Sequence, residues 1–363
     1  MGLCLLIIPM VALNFEPGPG VPVHVPALAA GSIRTEQEPY PPFEEYEQDT
    51  ALEAAAALYG DSLLESAGIP DPEFSVDAVK VESFKILNES TGRVETVSLR
   101  DFVRGAVAAE MPASFHPEAL KAQAVAAHTF ALHNHLAQRN NPDPALKGAD
   151  FKADPEKMKV YITEKTARDF YGVDSDLYWE KICKAADSVM DYVLVYAGEP
   201  IVAAYHAISA GRTEDASNIW SGSAPYLLSV PSEGDFLAPG FESTAVFSGQ
   251  EVAEILKASY PGIELGDGVW FGTPVRSESG YVSELQVGNL NIPGKDLRQV
   301  FGLRSHDFEI AYDDGNYIFA VTGYGHGVGL SQYGADFMAR QGSTFDEILS
   351  AYYSNTSLEK LPE

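Results

Sequence analysis

Positive charge is scarce in this 363-residue chain: 24 Lys and Arg stand against 52 Asp and Glu, a net charge of −28. That balance argues against nucleic acid as a partner, because holding phosphates takes clustered basic side chains. It also repels anionic lipid and anionic wall polymers, so a wall substrate would be held by hydrogen bonds and stacking. Cysteine is nearly absent. The two, Cys4 and Cys183, form no CxxC motif, so neither a disulfide framework nor a cysteine zinc site follows, and both are read as unpaired thiols with Cys183 buried. Long apolar runs are missing as well. The opening MGLCLLIIPMVAL stops at Leu13, short of the ~20 residues that a membrane span takes. It lacks a basic leader region and a small-residue cleavage site. It reads either as a signal-anchor whose upstream codons are missing, hence an N-terminal membrane anchor, or as a disordered leader. The first is preferred, because soluble cytoplasmic chains rarely begin this way.

What is there supports a sizeable core. Hydrophobic residues make up 45 %, and 31 Gly with 23 Pro point to many turns rather than a helical bundle. Residues 1–13 form the apolar segment, 14–75 an extended acidic, Pro-rich linker with one short helix near 51–58, and 76–360 the globular domain. His24 in the linker is read as solvated. Val79–Leu87 and Arg93–Val97 predict a hairpin across the turn Asn88–Gly92. Ser98 caps a helix through LRDFVRGAVAAEM that stops at Pro112, with Phe102, Ala106 and Ala109 on one face. His116–Pro117 opens a second helix to about Arg139, with Leu120, Ala124, Ala127 and Ala131 as its inner stripe. A polar insertion follows, then a helix over Ser175–Met190 and a hairpin of Tyr192–Tyr196 with Ile201–Ile208. Ser248 and Glu251 frame a helix, and 269–321 reads as strands interrupted by PGKDLRQVFGL. A helix starts near Leu330, and Thr344 with Glu347 boxes the last one. The mixed order predicts an α+β fold, helices and antiparallel strands around one catalytic cleft.

Glu110 is the first residue with chemistry. It ends an apolar helix directly before Met111–Pro112, where poor solvation raises a carboxyl pKa and the helix dipole disfavours an anion. A protonated carboxyl near pH 7 is what protonating a glycosidic oxygen requires. Asp101 and Glu118, the nearest other carboxylates, are explained as helix N-terminal residues. His326 lies in a Gly-flanked turn, GYGHGVG, where backbone can approach a ligand. His133 and His135 do not share a helix face.

Three segments stand out: Arg104-GAVAAEMPASFHPEALKAQAVAAHTFAL-His133, Tyr205-HAISAGRTEDASNIWSGSAPYLLSV-Pro231 and Gly323-YGHGVGLSQYGADFMARQG-Gly342. Together, and in this order, they resemble the stage II sporulation protein D family over roughly Ser98 to Tyr353. The resemblance implies a peptidoglycan lytic transglycosylase with Glu110 as sole acid and base, leaving 1,6-anhydro ends on glycan strands denuded of peptide. It implies substrate-binding roles for Lys121, His128, His206, His326, Gln332, Ser331 and Tyr352, although Ser331 also reads as a helix cap and Tyr352 as a packing residue. His128 stands where the family commonly has Arg, which removes a bidentate donor. Some members bind zinc through the equivalent of His206 and nearby cysteines. Here that stretch, AISAGRTEDASN, has none, so no metal and no cofactor is expected. The implied partners are glycan strands, a companion amidase/endopeptidase and a membrane scaffold of the engulfment machinery, at the mother-cell membrane facing the wall. A non-catalytic wall-binding protein or amidase activator is the rival reading, and a metal-dependent hydrolase built on His206 and His326 a third.

Overall fold

The computed structural model describes residues 80–220, 222 and 224–362. The apolar segment 1–13, the linker 14–75, its short helix and the domain start at 76 lie outside them. Among the described residues no helix is long and apolar enough to cross a membrane.

Strands β1 (Ser83–Asn88) and β2 (Val94–Ser98) pair antiparallel, as the turn residues between them require. Helix α1 (Leu99–Glu110) follows at once. Ser98 accepts the Asp101 N–H at 3.1 Å and donates its hydroxyl to the Asp101 carboxylate at 2.7 Å. Helix α2 (Pro117–Asn140) begins on its proline, with His116 as the cap. Its expected stripe is buried, but so are Ala122, Val125 and Ala126 on its other faces. An Ala-rich helix lets neighbours close in on every side, and α2 is the axis of the lobe rather than an amphipathic surface helix.

The insertion after α2 carries order that its polarity hides. It holds β3 (Phe151–Ala153), parallel to β1, with Phe151 fully buried against Phe84 and Phe102. It also holds α3 (Glu164–Tyr171), which the sequence reading missed. Helix α4 (Ser175–Asp187) is as expected and carries Cys183, a free thiol that is half-buried rather than buried. The hairpin of β4 (Tyr192–Tyr196) with β5 (Glu199–Pro200) is shorter than expected. Pro200 brings no N–H to a ladder, and the chain soon leaves it. Tyr205–His206 becomes β6, parallel to β13 (Leu330–Ser331). The fold is α+β, mostly antiparallel, with these two parallel pairings as additions to the expectation.

Residues 242–322 build a second hydrophobic core. It contains β7 (Glu242–Ser248), α5 (Gly249–Ser259), β8 (Val275–Arg276), β9 (Val282–Val287), β10 (Leu290–Pro293), α6 (Gly294–Phe301), β11 (Asp307–Asp313) and β12 (Asn316–Thr322). Val252, Leu256, Leu285, Leu297 and Phe319 fill it. Helices α7 (Gln332–Arg340) and α8 (Phe345–Tyr352) then return to the first core, and β14 (Ser357–Lys360) closes on β4. The two cores meet at a polar seam. The Tyr281 hydroxyl donates to Arg212 O and accepts from Ala210 N, both at 3.0 Å, and Ser277 donates to the buried Glu214 carboxylate at 2.6 Å.

Candidate active site

Glu110 is carried inward by helical spacing. Val103, Ala106 and Val107 precede it on the buried face of α1, so the same face that packs the core also takes the carboxyl in. Met111 is extended at φ −120°, as the residue before a proline must be, and α1 stops at Glu110. The residue is 2 % exposed. Burial pushes its pKa up to about 8, against a smaller downward pull from a hydrogen bond with the Gln332 side chain. Oε2 is buried and has no hydrogen-bond partner among the described residues. At pH 7 this is a neutral carboxylic acid with one oxygen open, a proton donor by chemistry.

Three elements bring its companions. Gln332 is the first residue of α7 and is placed there by Ser331, whose hydroxyl accepts the Gly334 N–H at 3.3 Å and donates to Asp235 at 2.7 Å. Asp235 is fully buried, its pKa pushed up to about 6 by burial, and takes two further bonds from the Ser209 N–H and hydroxyl. Gln332 Nε2 donates to Gln123 Oε1 of α2 at 3.4 Å, both side chains buried. The pairing of β6 with β13, Tyr205 opposite Leu330, brings Tyr205 to the same place. Its phenol is held well above the ordinary tyrosine pKa by burial and by the nearby Glu110, and it bonds to Gln123. Gln123 and Tyr205 were not singled out from sequence. A lone amide inside the alanine run AQAVAA was the available signal for the first, and Tyr205 had none.

Among the described residues no second carboxylate joins Glu110. The Asp101 carboxylate takes the Ser98 hydroxyl, and Glu118 takes Lys121 Nζ at 2.6 Å and the Phe345 N–H at 2.9 Å. Glu118 therefore ties α2 to α8, and the Lys121 ammonium that it holds lies 5.9 Å over the Phe345 ring. Tyr352 is 1 % exposed with its hydroxyl 2.7 Å from Ser232 Oγ, the placement of a packing residue. Ser331, fully buried, is the cap of α7. His128 faces a separate cavity of about 440 Å³, lined by Leu99, Met190, Tyr192 and Leu361 but by neither Glu110 nor Gln332. Burial lowers its pKa to about 4, so it is neutral and carries none of the charge of an arginine.

The remaining candidates meet at the seam between the cores. His206 donates from Nδ1 to Val328 O at 3.0 Å, which leaves Nε2 as a buried acceptor without a partner among the described residues. His326 lies 5.7 Å from it, ring to ring, and 5.1 Å from Trp220, and its Nδ1 accepts the Val328 N–H at 3.0 Å. His306, which sequence reading did not pick out, stacks on Tyr281 at 4.6 Å. Burial holds all three neutral, taking His206 down to about 4 and His306 to about 3, with Arg298 adding to the effect. The glycine turn makes this packing possible: a Cβ on Gly329, at φ +75°, would stand 2.0 Å from Ala204 O. Among the described residues no group of three or more His, Cys, Asp or Glu side chains is arranged to hold a metal ion. The zinc set of cysteine-bearing relatives does not fit, since no cysteine follows His206.

An α+β domain with a buried, protonated carboxyl at a helix end is the class of protein defined so far. Comparison with known proteins makes it particular. The family model for stage II sporulation protein (SpoIID) matches residues 87–196. Stage II sporulation protein D of Bacillus subtilis (strain 168) is 35 % identical over 282 residues, 78 % of this chain and 79 % of that protein. Its namesake in Bacillus amyloliquefaciens is 33 % identical over 290 residues, 80 % and 81 % of the two chains. An amidase enhancer of Bacillus subtilis is 26 % identical over 310 residues, 70 % of this chain but 40 % of the enhancer. The chain belongs to the stage II sporulation protein D family, a family of sporulation proteins.

Proposed function

We propose that this chain is a peptidoglycan lytic transglycosylase, cutting the β-1,4 bond between N-acetylmuramic acid and N-acetylglucosamine in glycan strands stripped of peptide. The observation that carries the reading is Glu110, a carboxyl buried to 2 % exposure whose pKa of about 8 keeps it protonated at neutral pH. Neutral Glu110 donates its proton to the bridging oxygen as the bond to the muramoyl C1 breaks, and the glucosamine residue departs with a free 4-hydroxyl. The carboxylate so formed takes the proton of the muramoyl 6-hydroxyl, whose oxygen closes on C1. Glu110 ends as it began, no water is consumed, and a 1,6-anhydro end results. One carboxyl serves both steps, whereas ordinary glycosidases use a flanking pair. A sugar reaches so enclosed a group only if a neighbouring side chain moves aside.

In this reading Gln332 acts beside Glu110, and His206 and His326, next to Trp220, remain substrate-binding candidates. Membrane attachment through residues 1–13, an extracytoplasmic site at the engulfing membrane, and work alongside an amidase/endopeptidase and a membrane scaffold are parts of the same proposal. A chain of net charge −28 suits a strand that has lost its charged peptides. The likeness to an amidase enhancer supports the second reading, a wall-binding or amidase-activating protein. Digestion of denuded glycan strands, with products read by mass spectrometry, separates the two. The wild type is expected to release anhydro-muramoyl ends and Glu110→Gln none; no products from either would favour the activator.

A further inference from the structure

Gln332 holds Glu110, but a terminal amide on a three-bond stem has rotational freedom unless something fixes its other end. Gln123 fixes it. Gln123, fully buried in the middle of α2, accepts the Gln332 Nε2–H at 3.4 Å and is itself bonded to the Tyr205 hydroxyl. A glutamine among alanines is a costly side chain to bury, and its amide is spent on two groups of the site, Oε1 on Gln332 and the side chain also on the Tyr205 hydroxyl. Core packing does not account for it, since a methionine of like shape would fill the same space without a buried amide to satisfy.

We infer that Gln123 is a positioning residue for Glu110: it acts through Gln332, orienting that amide so that its N–H meets one carboxyl oxygen and leaves Oε2 open. Three elements are thereby locked to one another at the reacting group, α1 through Glu110, α2 through Gln123 and α7 through Gln332. The inference rests on the proposed role of Glu110 for its meaning, but its test does not. A hydrogen bond donated to a carboxylate stabilises the charged form and lowers the pKa, and the Gln332 bond pulls in that direction. Releasing Gln332 must therefore raise the Glu110 pKa.

The experiment is a carbon-13 carboxyl titration of the full chain labelled at glutamate. The Glu110 signal is assigned by its loss in Glu110→Gln. In Gln123→Met, an isosteric change that removes the acceptor, the pKa is expected to rise by about half a unit to one unit. Gln332→Met should raise it at least as far, and the double variant no further than Gln332→Met alone. If the glycan digest succeeds, the high-pH limb of its rate profile should move up with the pKa in Gln123→Met, which a loosened core would not cause. An unchanged or lowered pKa in folded Gln123→Met overturns the inference. So does a double variant whose shift is the sum of the two. Failure of the lytic reading shows separately, as a wild type that leaves glycan strands uncut while the titration shift stands. Should Gln123→Met not fold, Gln123→Leu is titrated under the same criteria.

Discussion

Glu110 and the buried histidines are neutral for one reason, burial, but they tilt stability against pH in opposite directions. An acid whose folded pKa is raised is most favourable below its unfolded pKa, and the advantage is lost as pH climbs through the folded value. For Glu110 the window runs from about 4.5 to about 8. Glu110→Gln removes this loss. We predict that its margin over the wild type grows by on the order of 1 kcal/mol per pH unit across that window. Melting curves at several pH values check it, and a margin that stays flat between pH 5 and 8 contradicts the raised pKa. His128 shows the reverse: with a folded pKa lowered to about 4, its contribution is present above the unfolded value and lost as pH falls. Its Arg replacement would add bulk and a permanent charge at a position only 1 % exposed, so we expect His128→Arg to lower the melting temperature at pH 7.

Among the elements, the turn before α7 is the most constrained. Gly329 has φ +75° and no room for a methyl group against Ala204 O, so Gly329→Ala forces backbone apart as well as strain. A loss of at least about 2 kcal/mol is expected in chemical denaturation. Caps give a graded comparison. Ser248 caps α5 at the surface in a capping box, whereas Ser331 caps α7 while fully buried and bonded to Asp235. Ser248→Ala should cost about 1 kcal/mol and Ser331→Ala about twice that. Equal losses would mean that the Asp235 bond contributes nothing. Both caps and the stop of α1 at Met111–Pro112 were legible in the sequence, because capping and proline chemistry act within a few residues. Strand β3 and the parallel pairing of β6 with β13 were not. Their partners lie 65 and 125 residues away in register, Ile86 with Phe151 and Tyr205 with Leu330, and two- or three-residue strands carry no periodicity of their own. Glu110 could be read from its place at a helix end. The companions Gln123 and Tyr205 could not, because only the crossing of three elements brings them to it.

For the whole molecule the individual slopes add. Among the described residues four buried histidines, at 128, 206, 306 and 326, and the half-buried His133 have lowered pKa values, and three carboxyls, Glu110, Asp235 and Asp307, have raised ones. The histidines dominate on the acid side and the carboxyls act alone on the alkaline side. Thermal stability should therefore peak at about pH 7, fall steeply toward pH 4 and decline gently toward pH 8. A maximum at pH 4 to 5 would contradict the neutral state of the seam histidines. The central claim, cleavage without water by one carboxyl, is tested most directly by digesting denuded glycan strands in water enriched in oxygen-18. Glycosyl transfer to the 6-hydroxyl predicts anhydro-muramoyl ends carrying no heavy oxygen, and none of these ends with Glu110→Gln. Reducing ends bearing one oxygen-18 atom would make the chain a hydrolase and contradict it.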